Sequence, residues 1–76
     1  MDKLLELFAE VLKVDASSLD DQSSPDNVAE WDSLAAMLLV SAIEERYHIQ
    51  LSTKEIMKMV SIGLARKALH ARQVDV

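Results

Sequence analysis

The sequence predicts an all-α fold, a four-helix bundle with a long first loop and a short third helix. Three observations predict it. Half of the 76 residues are hydrophobic, yet aromatics are scarce and the apolar side chains are mostly Leu, Ala, Val, Ile and Met, a mixture that favours helices. One Gly and one Pro leave few places for the tight turns that many short strands would need. Apolar residues recur at helical spacing in separate segments. The length predicts a single domain over residues 1–76, small enough that its core must be efficient.

The first helix starts behind Asp2, which is placed to cap it, and carries Leu4, Leu5, Phe8, Val11 and Leu12 on one face, with Glu6 and Glu10 turned away. From about Val14 to Asp32 no period is sustained. The stretch is rich in Asp, Ser and Asn, and Pro25 disfavours helix for the residue before it, so this is a long loop. Such a loop in a compact domain is more often functional than not. Leu19, Val28 and Trp31 are the residues expected to pin it to the core.

The second helix is expected from about Ser33 to Tyr47, behind Asp32, whose carboxylate can accept from first-turn amides. Ala36, Leu39, Val40, Ile43 and Tyr47 form its core stripe. Leu34, Leu38, Ser41 and Glu45 lie roughly opposite, and Met37 sits at the stripe's edge, which leaves Leu34 and Leu38 as apolar residues at the surface. Ser52-Thr53-Lys54-Glu55 fits a capping box and predicts a short third helix over Thr53–Met59. Ser61 caps a last helix from about Ile62 to Ala71, with Leu64, Ala65, Ala68 and Leu69 inward.

A formal net charge of -5 argues against nucleic acid as a partner, because binding a polyanion normally needs a basic face. A small DNA binder using Arg66, Lys67 and Arg72 conflicts with the same total. Between Lys13 and Arg46 there is no basic residue, while Asp15, Asp20, Asp21, Asp26, Glu30 and Asp32 fall there. The balance reverses from Arg46 onward, so the molecule is expected to be electrically polar. Without cysteine there is no disulfide framework and no thiolate metal site. No apolar run approaches a membrane span, and Met1-Asp2-Lys3 lacks the layout of a secretory signal, so the expectation is a cytoplasmic protein with no membrane partner.

A search for catalytic chemistry is nearly empty. His48 and His70 lack a third ligand at metal-binding spacing and read as surface histidines. The acidic loop lacks the D-x-D-x-D-G spacing and any Gly, so it reads as a solvated anionic surface. Neither a Gly-rich phosphate cradle nor a G-x-S-x-G elbow is present. No catalytic residue and no metal site are expected. What remains is Trp31-Asp32-Ser33-Leu34 at the junction of loop and helix.

Asp32-Ser33-Leu34, followed by an apolar helix ending in Ala42-Ile43-Glu44-Glu45-Arg46-Tyr47 and then Ile49-Gln50-Leu51-Ser52, resembles the acyl carrier protein family, which includes peptidyl and aminoacyl carriers. The similarity covers nearly the whole chain, including Leu19 in the loop and the late Ser61-Ile62-Gly63. A bare D-S-L triplet is weak; at this place in this helix pattern it is specific. The resemblance implies a non-enzymatic carrier with 4′-phosphopantetheine attached to Ser33. A phosphopantetheinyl transferase (holo-carrier synthase), with magnesium, would donate it from coenzyme A. An acyl- or aminoacyl-loading ligase and downstream transferases would then use the arm's thiol as a thioester. A serine in a helix's first turn suits a phosphate, which lies near unpaired amides and the positive dipole end.

The same resemblance makes Asp32 both a cap and an anionic contact for the transferase, and Leu34 a partner contact. Trp31 is read as holding down the loop rather than lying against the arm. The chain departs from fatty-acid carriers, which usually show acids along the exposed side of the second helix. Here that side has Ala35, Leu38 and Ser41, with acid kept at Glu44 and Glu45, and Lys54 and Lys58 make the third helix basic. Leu34, Met37 and Leu38 are therefore expected to form an apolar docking patch, with Asp32, Glu44 and Glu45 as charged partner contacts. A changed charge pattern suggests a different partner set, and so a discrete carrier in a specialised pathway such as amino acid activation, polyketide or nonribosomal biosynthesis, or surface-polymer assembly, rather than housekeeping fatty acid biosynthesis; a monomer is expected. The rival reading is an unmodified helical interaction module in which Ser33 is an ordinary first-turn residue.

Overall fold

The computed structural model describes residues 2–76, and among them it contains four α-helices and no strand. They are α1 (Lys3–Leu12), α2 (Ser33–Tyr47), α3 (Thr53–Lys58) and α4 (Ile62–Ala71), with a 3-10 turn at Ala16–Ser18 early in the long first loop. Every helix starts at the residue whose side chain is chemically able to start it. Asp2 accepts from the Leu5 amide at 3.2 Å, Asp32 from Ala35 at 2.9 Å and Ser61 from Leu64 at 3.1 Å. Ser52 and Glu55 complete the capping box, each side chain accepting the other's amide at 3.1 and 2.9 Å. α3 ends at Lys58, one residue before the expected Met59, because the Met59 amide reaches back to the Ile56 carbonyl and tightens the last turn.

Leu4, Phe8, Ile43, Ile62 and Leu69 are the large side chains enclosed at the centre. α1 packs on both α2 and α4, while α3 packs chiefly on α4. Covered from two sides, α1 buries more than the single stripe expected of it. Leu7 and Ala9 are buried with Leu4, Phe8 and Leu12, and the expected Leu5 and Val11 are only half-buried. In α2, Ala35 is buried beside Leu39 and Ile43, although the sequence pattern put it on the exposed side; Ala36, Val40 and Tyr47 are half-buried. In α4, Ile62 is buried and Leu64 is 41% exposed, which corrects the expected inward stripe. Two positions apart on a helix, the two cannot share a face, and Ile62 takes the core.

The long loop is tied down at several points. Leu19 and Trp31 are buried and Val28 is half-buried, as expected, and Trp31 meets Phe8 edge-on at 5.3 Å between ring centres. A second set of ties was not legible in the sequence. The Ile62 and Gly63 amides, at the start of α4, donate to the carbonyls of Ser23 and Asp21 at 3.0 and 2.9 Å. Arg66 bridges Asp2 and Asp21 at 2.6 and 2.9 Å. Ser23 itself is buried, its hydroxyl accepting from the Asp20 amide. Among the described residues no helix is long and apolar enough to cross a membrane.

Candidate functional site

The anionic loop delivers the chain to α2 through a short series of turns. Asn27 accepts from the Ser24 amide and donates to the Gln22 carbonyl, Val28 donates to Ser24, and Trp31 donates to Val28. With Trp31 buried, Asp32 is extended and caps the helix, so Ser33 is the first helical residue. Ser33 is exposed. The amides of Ser33 and Leu34 precede the first intrahelical donor and find no backbone acceptor among the described residues. An exposed hydroxyl thus stands beside free N–H groups at the positive end of a helix of 15 residues. That arrangement fits a phosphodiester: two donors and a favourable dipole offset the nearby Asp32, one of whose oxygens is turned back to the Ala35 amide.

From Ser33 onward one face of α2 is open. Leu34 is 65%, Met37 70% and Leu38 51% exposed, and Ser41 is also exposed, so these apolar side chains stand in solvent rather than in the core. Met37 lies one turn from Ser33, about 6 Å along the axis. It borders an apolar groove of about 340 Å³ between α2 and α3, whose other walls include Phe8, Trp31, Val40, Ile56 and Met59. The groove exists because α3 leans on α4 rather than closing against α2. Trp31 forms its wall from a buried position, as expected of an aromatic that holds down the loop.

The acids at the end of α2 differ from one another. Glu45 is exposed, whereas Glu44 is half-buried and accepts from the Leu51 amide at 2.8 Å, which fixes the turn that leads to α3. On α3, Lys54 and Lys58 are exposed and Glu55 is engaged by Arg72 at 2.6 Å, a pairing that holds the Glu55 carboxyl down at about 2. Hydrogen bonds from Arg66 likewise hold the Asp2 carboxyl below its ordinary value. Both ion pairs join segments distant in sequence and serve the fold. Among the described residues no group of three or more His, Cys, Asp or Glu side chains could hold a metal ion.

Residues 2–64 match the family model described as phosphopantetheine attachment site. The chain belongs to that family. Its fold, a compact helical bundle of four helices, is of the acyl-carrier type, and the prosthetic group of the family is 4′-phosphopantetheine. The match supports a phosphopantetheine-carrying role. Among curated proteins no sequence match is found. The matched span contains the first loop, the Asp32-Ser33-Leu34 junction, both helices that border the groove and the Gly63 contact.

The sequence-expected residues Asp32, Ser33, Leu34, Met37 and Leu38 are brought together on one end and face of α2, while Glu44 and Glu45 lie near its far end. Reading the sequence alone missed Asp21, Gly63 and Arg66, which position the loop. Their signal is pairing across 45 and 64 residues, which no local pattern carries.

Proposed function

We propose that Ser33 is the attachment serine and that residues 1–76 form a single, monomeric, non-catalytic carrier domain acting in the cytoplasm. The observation that carries this reading is the exposed Ser33 hydroxyl at the first position of α2, beside unpartnered amides and within the family match. When bound, the prosthetic group supplies a terminal thiol on which acyl or aminoacyl cargo is held as a thioester. The chain's own residues do the rest. Asp32 caps α2 and so holds the hydroxyl at the edge of the bundle, its free oxygen offering the phosphopantetheinyl transferase an anionic contact. The helix dipole and the Ser33 and Leu34 amides stabilise the phosphate charge.

Loading ligases and downstream transferases then meet Leu34, Met37 and Leu38 beside the tether, with Glu45 at the far end of the same helix. The uncharged face of α2 and the lysines of α3 support a partner set suited to specialised polyketide, nonribosomal or surface-polymer assembly. The test is incubation with a broad-specificity phosphopantetheinyl transferase, coenzyme A and magnesium, followed by peptide mass spectrometry. Modification is expected on Ser33 and absent in Ser33→Ala, whose melting temperature should stay close to that of the parent. A chain that stays unmodified while a control carrier is converted leaves the interaction-module reading in possession.

A further inference from the structure

The chain has no cysteine, so the methionine thioethers are its only sulfur groups open to oxidation. Those among the described residues are not equivalent. Met37 is 70% and Met57 72% exposed, whereas Met59 is half-buried against the core. Met57 belongs to the solvent side of α3. Met37 is placed otherwise, because it follows Ser33 by four residues and precedes Ser41 by four, so the three form one row along α2. Neighbours in such a row have Cβ atoms about 5–6 Å apart. Both serines are exposed. In a helix a long side chain leans toward the N-terminus, over the preceding turn, and that lean carries the Met37 sulfur toward Ser33.

So exposed a thioether meets hydrogen peroxide without any opening of the fold. The sulfur lone pair attacks one peroxide oxygen, and the O–O bond breaks as the S–O bond forms. The proton of the transferred oxygen passes to the departing hydroxide, which leaves as water; sulfur loses two electrons and the peroxide gains them. A reductase bearing two thiols reverses the step, the sulfoxide oxygen leaving as water while the thiols close to a disulfide. A thioether is a weak acceptor, whereas a sulfoxide is polar and accepts through its oxygen. We infer that Met37 is a redox-sensitive modification site at the head of α2, whose sulfoxide oxygen accepts from the Ser33 hydroxyl and so withholds it from phosphopantetheine transfer. The site and the contact follow from the row on α2; only the consequence for transfer rests on Ser33 being the attachment serine. Once the arm is attached there is no hydroxyl to hold, so the switch acts on the unmodified chain alone.

The experiment treats the isotopically labelled chain with graded hydrogen peroxide and makes three measurements. Peptide mass spectrometry follows the oxygen gained by each methionine, NMR follows the Ser33 signals, and a broad-specificity phosphopantetheinyl transferase with coenzyme A and magnesium reports the rate of transfer. Met37 and Met57 are expected to oxidise several-fold faster than Met59 while the folded spectrum is retained. The Ser33 signals should move in step with oxidation of Met37, and transfer should slow by about threefold to tenfold, the weight of one hydrogen bond. A methionine sulfoxide reductase should restore the rate. M57L should respond to peroxide as the parent does, and M37L should not slow. Oxidation of Met59 as fast as Met37, loss of the fold, Ser33 signals that stay in place, a transfer rate that does not change, or equal slowing in M37L each overturns the proposal. If the untreated chain is never modified but the Ser33 signals move on oxidation, the carrier reading fails and the oxidation site stands.

Discussion

In Gly63→Ala the new Cβ would stand 2.9 Å from the Asp21 carbonyl oxygen and 3.2 Å from the Asp21 Cβ. The oxygen belongs to the backbone and accepts from the Gly63 amide at 2.9 Å, so it cannot swing away without losing that bond. Relief requires the loop and the start of α4 to separate by a few tenths of an ångström. Crowding of this kind costs about 1–3 kcal/mol, and a weakened hydrogen bond about 0.5–1.5 kcal/mol. The better helix preference of Ala offsets up to about 1 kcal/mol. The net is a loss of about 2 kcal/mol, a large share of the roughly 4–11 kcal/mol available to a domain of this size. The melting temperature should fall by about 10 °C. Thermal and urea melts followed by circular dichroism measure it, and hydrogen exchange should quicken at the amides of Ile62 and residue 63. An unchanged or raised melting temperature would refute the argument, because it would mean that the loop yields freely at Asp21 and is not anchored there.

Other perturbations separate fold from site. Ile43→Ala, at an enclosed position, should cost roughly 2–5 kcal/mol in a urea melt, whereas Leu38→Ala on the open face should stay within about 0.5 kcal/mol. Tyr47 has an enclosed hydroxyl with no protein partner, and burial pushes its pKa up, so Tyr47→Phe should leave stability unchanged or raise it by about 1 kcal/mol; a clear loss would show that the hydroxyl is bonded. Hydrogen bonds from Arg72 hold the Glu55 carboxyl down at about 2 in the folded chain, against an ordinary value of 4.5. As pH falls below about 4.5 the unfolded state takes up the proton first, so stability is lost progressively toward pH 2, and Asp2 acts in the same direction. Urea midpoints between neutral pH and about pH 3 should show this decline, and Arg72→Ala should flatten it. A profile in Arg72→Ala as steep as the parent's would contradict the pairing.

Helix identity and helix starts were legible because their causes are local. Asp2, Asp32, Ser52 and Ser61 lie within three residues of the amides they cap, so a short window contains both partners. Ser33 could be placed at the head of α2 for the same reason, since the Asp32 cap and the apolar helix behind it are adjacent in sequence, but only the family resemblance marked it as an attachment serine. The open apolar face of α2 was also visible, because the side opposite a core stripe follows from helical geometry.

The width and rotation of each buried face depended on neighbours brought in from elsewhere. α1 is wedged between α2 and α4, which encloses Leu7 and Ala9, and Ala35 disappears into the core although so small a side chain leaves almost no trace in a periodic pattern. The groove beside Met37 follows from α3 leaning on α4, a choice between two surfaces that six residues cannot reveal. The anchoring of the first loop by Gly63 and Arg66 joins atoms far apart along the chain. Local chemistry was enough for the capped helices and the hydroxyl at the head of α2. Only the packed chain could show which faces close, which stay open and what holds the loop in place, because burial is a property of three-dimensional neighbours.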